Sequence, residues 1–546
     1  MKPSAARPDQ ADGDGPPAAV AGLAARACRE PGVVLAWLLG LHIVVWTALP
    51  ILACRNLQLD LAEGLALGRE WQLGYWKHPP LPWWIDDLAW RAAGDPRAVY
   101  VLGPLAAAIA LYAVWRLGRD IVGPHQALMA VVTLEGLHFF NFTAVKFNHD
   151  VMQLPLWALT GLFLLHAMRD GRNRDWVLSG AFLALAFWTK YSALALAAPI
   201  GLFLLLDPVA RRCWRTPGPY LMAATFLVVL APHLWWLVDS GYQPLRYAEM
   251  RAVGATRWYQ WVTFPLRWIA SQLFFLAPVI ALLAIVLAHV PAKWIPVRRQ
   301  EHAPGEDAHV PATWIPVRRQ LDEPAAFARR WITMLALGPL AVVTVGAALT
   351  GRLPVAMWGY PLWTFAPLAA LAWCAPVLTL PRRRLFWRAC LAVLVLMAAA
   401  YAADELLEPF WRDRPKATQF PGRLLAQTIT RQWHERTATP LAYVAGADFT
   451  TSGAGEFAAN TVAVYSSDHP HVVVHGELAF SPWIDPAELR RRGAVLIWEA
   501  AGDNLPDNLK TIFPGAELQP PLTLGRQTLY RRKPAVVSWA LVLPRP

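Results

Sequence analysis

The chain has 546 residues, 56% of them hydrophobic and 16% charged, with 29 tryptophans and a formal net charge of +12. That is too apolar for a soluble protein of this length, and many apolar runs reach the ~20 residues that cross a bilayer core. The basic excess is spread over loops between apolar runs, which reads as membrane topology and argues against nucleic acid as a partner.

Residues 1–31 are rich in Ala, Pro, Gly and Asp and are expected to form a disordered cytoplasmic N-terminus. They do not read as a signal peptide, because the first apolar run starts late, near Val33, is long enough to span and lacks a cleavage site. About eleven spans are expected, at 33–54, 97–117, 125–145, 151–168, 176–190, 192–207, 219–238, 268–290, 331–350, 357–379 and 388–403. Together they make residues 32–404 a polytopic α-helical membrane domain. The fifth and sixth are nearly continuous, so they form either a tight hairpin or two broken helices. The five cysteines, at 28, 54, 213, 374 and 390, show no CxxC pairing, which argues against a disulfide or zinc framework.

Basic loop residues set the orientation. Arg116 and Arg119, then Arg169, Arg172 and Arg174, then Arg211, Arg212 and Arg215 mark one side. Lys293, Arg298, Arg299, Arg318 and Arg319 follow, and then Arg382, Arg383 and Arg384. All fall together if the N-terminus is cytoplasmic. The first loop (55–96), residues 146–150 and 189–192, the 239–263 loop, Arg352 and everything after about 404 then lie outside, in the periplasm of a Gram-negative cell. The cytoplasmic loop 291–330 contains a duplication: HVPAKWIPVRRQ at 289–300 recurs as HVPATWIPVRRQ at 309–320. Two copies are too few for a repeat array, and no chemistry is assigned to them. Between about 420 and 546, LAYVAG (441–446), HVVVH (471–475) and AVLIWEA (494–500) read as strands among short helices. A small periplasmic α/β domain with a parallel sheet is expected at 420–546.

Charge is scarce here, so a cluster beside a span is a candidate site. Asp60 and Glu63 are three apart and share a face if helical. A carboxylate in that place can take the proton of an alcohol; otherwise both are solvated loop charges. Lys77 is a compact charge suited to a phosphate oxygen, and His78 can donate to phosphate, shuttle a proton or bind a metal. The alternatives are interfacial snorkelling and turn structure. Asn148, His149 and Asp150 open the fourth span, where Asn or Asp also serves as a helix cap. With Asp60 and His78, the pair His149 and Asp150 could complete a divalent-metal site, although the spacing fits no recognised signature. Lys190-Tyr191 and Arg352 either meet a lipid phosphate or snorkel; with Lys77 and Lys146 they put four separated cations on the outer side. In the tail, GAGEFA (453–458) is a formal G-x-G-x-x-A, but six residues separate it from the strand, so it reads as an ordinary helix start. His469, His471 and His475 read as surface histidines rather than a metal site.

Asp60, followed by Gly74-Tyr75-Trp76-Lys77-His78-Pro79-Pro80-Leu81, resembles the first outer loop of membrane glycosyltransferases of the C-type fold. The resemblance is to the branch holding protein O-mannosyltransferases, lipid A aminoarabinose transferases and rhizobial lipopolysaccharide galacturonosyltransferases. FNHD at 147–150, TKY at 189–191 and the run Met357–Pro361 also look like landmarks of that branch, so the likeness covers roughly 33–380. Many relatives carry a second acid directly after the first; here that position is Leu61. The resemblance implies a donor sugar on a polyprenyl phosphate, membrane lipids around it, and a glycan, lipid or protein acceptor. Asp60 and Glu63 are the expected catalytic residues. Lys77, His78, Asn148, His149, Asp150, Lys190, Tyr191 and Arg352 are the expected donor-phosphate or substrate contacts. No cofactor is certain, and a divalent metal stays open. The alternative is a lipid or glycan transporter or flippase. It would place ionisable groups near the bilayer midplane and show repeat symmetry between halves, and neither is visible.

Overall fold

The computed structural model describes residues 30–287, 323–376, 378–410, 416–446, 456–498, 504–526 and 534–544. The expected disordered N-terminus up to residue 29 and the duplicated segment at 289–320 lie outside the described residues.

Among the described residues every expected span contains apolar helix, but the lengths are uneven. Six helices are long and apolar enough to cross a bilayer: Pro31–Ala53, Pro96–Val122, His149–Asp170, Gly218–Asp239, Glu323–Thr350 and Leu380–Leu406. Helices Gln260–Phe275 and Ala277–Leu287 meet at a 63° bend and count as a seventh crossing if taken together. Asn173–Thr189 and Tyr191–Leu206 are shorter. The expected span 125–145 is interrupted: helix Pro124–Leu134 stops after 11 residues. There Asn141 Nδ2 donates to the Glu135 carbonyl at 2.7 Å and the chain turns through His138–Phe140. The expected span 357–379 likewise splits into the 3₁₀ segment Ala356–Trp363, which holds Pro361, and helix Ala366–Cys374. Among the described residues, length and composition therefore support seven crossings at most, fewer than the eleven expected.

Ion pairs show which helix ends lie together. Arg169 reaches Asp120 at 3.4 Å, Arg330 reaches Asp207 at 2.6 Å, and Arg212 lies 3.9 Å from Glu323. These basic loops share one end of the bundle. Asp150 and Arg169 sit at opposite ends of helix His149–Asp170, about 30 Å apart at the rise of an α-helix.

After the last long helix, five strands form one sheet in the order β4-β3-β5-β7-β6: β3 (Tyr443–Gly446), β4 (His471–Val473), β5 (Ala494–Trp498), β6 (Glu517–Leu524) and β7 (Ala535–Val542). Strands β4, β3 and β5 run parallel, but β7 pairs antiparallel with both β5 and β6. The sheet is mixed, which corrects the expected parallel one. Side chains alternate between faces. Val444, Val495, Ile497 and Trp539 pack in one core, and Tyr443, Ala445, Leu496 and Ala540 in another. Because both faces are covered, β3 and β5 read as continuous apolar runs. The first of these cores is continuous with Leu61, Leu65, Trp76 and Trp83 of the first loop region, so the tail domain is docked on that loop.

Candidate active site

The short helix Leu59–Gly68 is apolar on nearly every side: Leu61, Ala62, Leu65 and Ala66 are all buried. Its two acids are the exceptions, and both line a cavity of about 430 Å³. The following loop is held from within. Tyr75 Oη donates to the Leu67 carbonyl at 2.9 Å, and the Tyr75 amide donates to the His78 carbonyl at 3.0 Å. Gly74 sits against Trp236; a Cβ there would lie 2.2 Å from the indole, so only glycine lets the loop approach. These contacts put Lys77 and His78 over the cavity.

Helix His149–Asp170 supplies the opposite wall. Asn148 caps it, its Oδ1 accepting from the amides of Asp150 (3.0 Å) and Val151 (3.1 Å). Its Nδ2 donates to Asp60 Oδ2 at 2.8 Å. The cap role and the site role are therefore the same side chain. Lys146 Nζ lies 3.6 Å from Asp60. Lys77 Nζ binds Glu63 at 2.6 Å, and Lys190 Nζ binds Asp150 at 2.6 Å. His149 Nε2 lies 3.0 Å from the Pro79 carbonyl. A carbonyl can only accept, so that nitrogen carries the proton. The rings of His78 and His149 are 4.1 Å apart. Tyr191 Oη pairs with His233 Nε2 at 2.9 Å, and His233 Nδ1 donates to the Leu73 carbonyl at 2.7 Å, tying the loop to helix Gly218–Asp239. Leu194, Ala195, Val342, Val343 and Leu362 give the cavity an apolar wall.

Burial works to raise the Asp60 carboxyl, but Lys146, the Asn148 hydrogen bond and Lys77 outweigh it and hold Asp60 below the ordinary carboxylate range. Lys146 is raised in return, chiefly by Asp60. His78 is pushed well below the ordinary histidine value by burial, with His149 and Lys77 adding to the effect, so it is a neutral imidazole at neutral pH. For the Glu63–Lys77 pair, burial disfavours the ammonium, but Glu63 holds it up, and Lys77 is protonated.

Nine of the ten predicted site residues line this one cavity, with Lys146 beside them. Arg352 does not. It lies in the two-residue strand β2 (Arg352–Leu353), paired antiparallel with β1 (Val253–Gly254). Its guanidinium binds the Glu249 carboxylate, and Nη1 donates to the Glu249 carbonyl at 2.8 Å. It braces the outer loop and stands apart from this cavity. Arg352→Ala is accordingly expected to lower folding stability by no more than about 1 kcal/mol, as exposed ion pairs do; thermal unfolding of the purified variant checks this. Sequence reading missed Tyr247 and Arg251, which reach the cavity from helix Gln243–Arg251. That helix lies in a loop with no chemical signal.

The residues do not fit a divalent metal. Among the described residues no three His, Cys, Asp or Glu side chains are placed to hold one. Asp150 is taken by Lys190, Asp60 by Asn148 and Lys146, and His149 Nε2 by a carbonyl.

Residues 77–236 match the family model of dolichyl-phosphate-mannose-protein mannosyltransferases. The lipopolysaccharide core galacturonosyltransferase RgtB of Rhizobium johnstonii is 25% identical over 211 residues, which is 37% of this chain and 42% of that protein. The chain thus spans less than half the length of the curated relative it matches. The fold is shared with ArnT from Cupriavidus metallidurans bound to undecaprenyl phosphate, with a TM-score of 0.57 and 12% identity, over 93% of this chain and 98% of that one. The apo state of the same protein gives 0.55, over 94% and 98%. The chain is a helical protein with several apolar helices and shares its fold with that structure. More narrowly, it is similar to the dolichyl-phosphate-mannose-protein mannosyltransferases over the segment that carries Lys77, His78, Asn148 and Lys190.

Proposed function

We propose that this cavity moves a sugar from a polyprenyl-phosphate donor to a hydroxyl of an envelope acceptor: lipid A or lipopolysaccharide, another glycan, a lipid or a protein. The chain lies in the bacterial inner membrane with its N-terminus in the cytoplasm and the cavity on the periplasmic side, as the basic loops suggest. The observation that carries the reading is Asp60, an ionised carboxylate on the cavity wall, fixed by Asn148 and Lys146. The apolar wall of Leu194, Val342 and Leu362 suits a prenyl tail, while Lys77 and Lys190 lie at its polar end.

The chemistry follows from the placement. Asp60 takes the acceptor O–H proton as that oxygen forms its bond to the anomeric carbon. The anomeric carbon–phosphate oxygen bond breaks on the opposite face, and the configuration inverts. The electron pair leaves with the polyprenyl phosphate, whose growing charge meets Lys77, Lys190 and the N–H of neutral His78. Both lysines are pre-paired with carboxylates, so the incoming phosphate competes with Glu63 and Asp150 for them.

The test is a nanodisc assay with a polyprenyl-phosphoryl sugar, following release of the polyprenyl phosphate. Release that requires an acceptor hydroxyl supports the reading; a well-folded protein that binds the donor and never releases phosphate with any acceptor class contradicts it. A second expectation concerns Asn148→Ala. It removes the helix cap, at a cost of about 0.5–2 kcal/mol, and deletes the hydrogen bond that lowers the Asp60 carboxyl. Because Asp60 works as its anion, the acid limb of kcat/KM should move to higher pH in this variant. A pH–rate profile with an unmoved limb would show that Asn148 is only a cap.

A further inference from the structure

A buried carboxylate of the tail lies behind Trp76, the residue before Lys77. Glu456 immediately precedes the tail helix Phe457–Tyr465 and is buried. Its Oε1 accepts from the His475 amide at 3.1 Å, and its Oε2 lies 3.6 Å from His475 Nδ1. His475 in turn presents its ring edge to Trp76, with centroids 4.9 Å apart. Phe480 packs on the same indole at 5.0 Å, and Tyr247 of the outer loop at 4.8 Å. Trp76 is therefore caged by the tail and the outer loop together, and it is the residue directly before Lys77. On the membrane side Lys77 is bound to Glu63. Lys77 lies over the caged Trp76 ring at 5.9 Å, and the charge of Glu456 acts on both partners of the Lys77–Glu63 pair.

Two buried carboxylates and one ammonium cannot all be charged without leaving a net negative site. Burial raises the Glu456 carboxyl to about 7, against the pull of Lys77 and the His475 amide. The carboxyl is neutral below that value and ionised above it. Below it, Glu456 adds no charge beside the Lys77–Glu63 pair. Above it, an arriving phosphate meets one more negative charge than before.

We propose that Glu456 is a positioning residue for the donor site: through the Trp76 cage and its charge beside Lys77, the C-terminal domain sets how strongly Lys77 captures an anionic polyprenyl phosphodiester. The groups facing Glu456 are Lys77 and Glu63 from the membrane domain and His475 from its own domain. The proposal rests on the reading of Lys77 as a phosphate contact and is tested separately from it.

The probe is a polyprenyl phosphate methyl ester, whose single charge does not titrate near neutrality. Its Kd is measured on the full-length protein in nanodiscs from about pH 6 to about pH 8.5. For the unsubstituted protein Kd is expected to weaken about fivefold across that range, as one charge appears near the cation. Glu456→Gln should hold Kd within about twofold throughout, and Glu456→Asp should restore the slope. A Gln variant with the unsubstituted protein's slope overturns the proposal and leaves Lys77 as a phosphate contact. Undiminished binding by Lys77→Met at about pH 6 overturns the underlying reading instead. If Glu456→Gln does not fold, the unsubstituted protein decides alone: a Kd that is flat across the range overturns the proposal.

Discussion

Asp60→Asn should lower kcat by about 10³-fold while leaving the protein folded and able to bind its donor. The substitution is nearly isosteric. Its side-chain oxygen can still accept from Asn148 Nδ2, so the cap of helix His149–Asp170 is preserved. What disappears is the base. An amide cannot take the acceptor proton, and Lys146 loses the charge it faces at 3.6 Å. The effect should fall on kcat far more than on donor affinity, because the proposed phosphate contacts at Lys77 and Lys190 are untouched. Single-turnover kinetics with equal amounts of folded protein check this. Turnover within tenfold of the unsubstituted protein would remove Asp60 from the role of general base.

Lys77→Met should abolish transfer and also destabilise the protein by about 3–5 kcal/mol, because it leaves Glu63 buried without its partner. The cost should depend on pH in a defined direction. Burial alone raises the Glu63 carboxyl, so without Lys77 it stays protonated to higher pH in the folded chain than in the unfolded one. The unfolded chain then releases its proton first as pH rises. The deficit is therefore smallest near pH 4 and grows towards neutrality. Thermal unfolding across pH measures it. The double variant Lys77→Met with Glu63→Gln should recover most of the stability and none of the activity. Recovery of both would mean that Lys77 serves the fold alone.

The amino-acid sequence carried the outer-loop chemistry because charge is so rare in this chain. Asp60, Glu63, Lys77 and His78 stood out against apolar surroundings, and loop charges grouped them with Asn148, His149, Asp150 and Lys190 before any contact was known. Asn148 illustrates why two readings need not compete: one amide face caps the helix while the other holds Asp60. Arg352 stands apart from the cavity for a reason the sequence does not display. Its partner Glu249 lies in a distant loop, and nothing local distinguishes a guanidinium that is already bound from one awaiting a ligand. The same holds for the partners of Asp150 and His149, which Lys190 and the Pro79 carbonyl engage from elsewhere in the chain.

The spans at 125–145 and 357–379 looked continuous because hydropathy averages over Glu135, Gly136, His138 and Asn141, and over Gly359 and Pro361, which end the helices locally. The tail sheet looked parallel because β6, ELQPPLTL, holds two prolines and reads as a loop; prolines in strands belong on edges, and β6 is the edge. Glu456 was visible only as part of a glycine motif. Its meaning comes from the docking of the tail onto the first loop, a contact between segments hundreds of residues apart that no local pattern records.

Asp60 is proposed to drive transfer of a lipid-linked sugar to an envelope acceptor. Mass spectrometry of envelope lipids, glycans and glycoproteins tests it most directly, comparing a deletion strain with strains re-expressing the unsubstituted chain or Asp60→Asn. The expected result is one envelope component lighter by a single sugar in the deletion strain, restored by the unsubstituted chain and not by Asp60→Asn at equal membrane abundance. Restoration by Asp60→Asn to the level of the unsubstituted chain, or envelope glycans identical in all three strains, would contradict it.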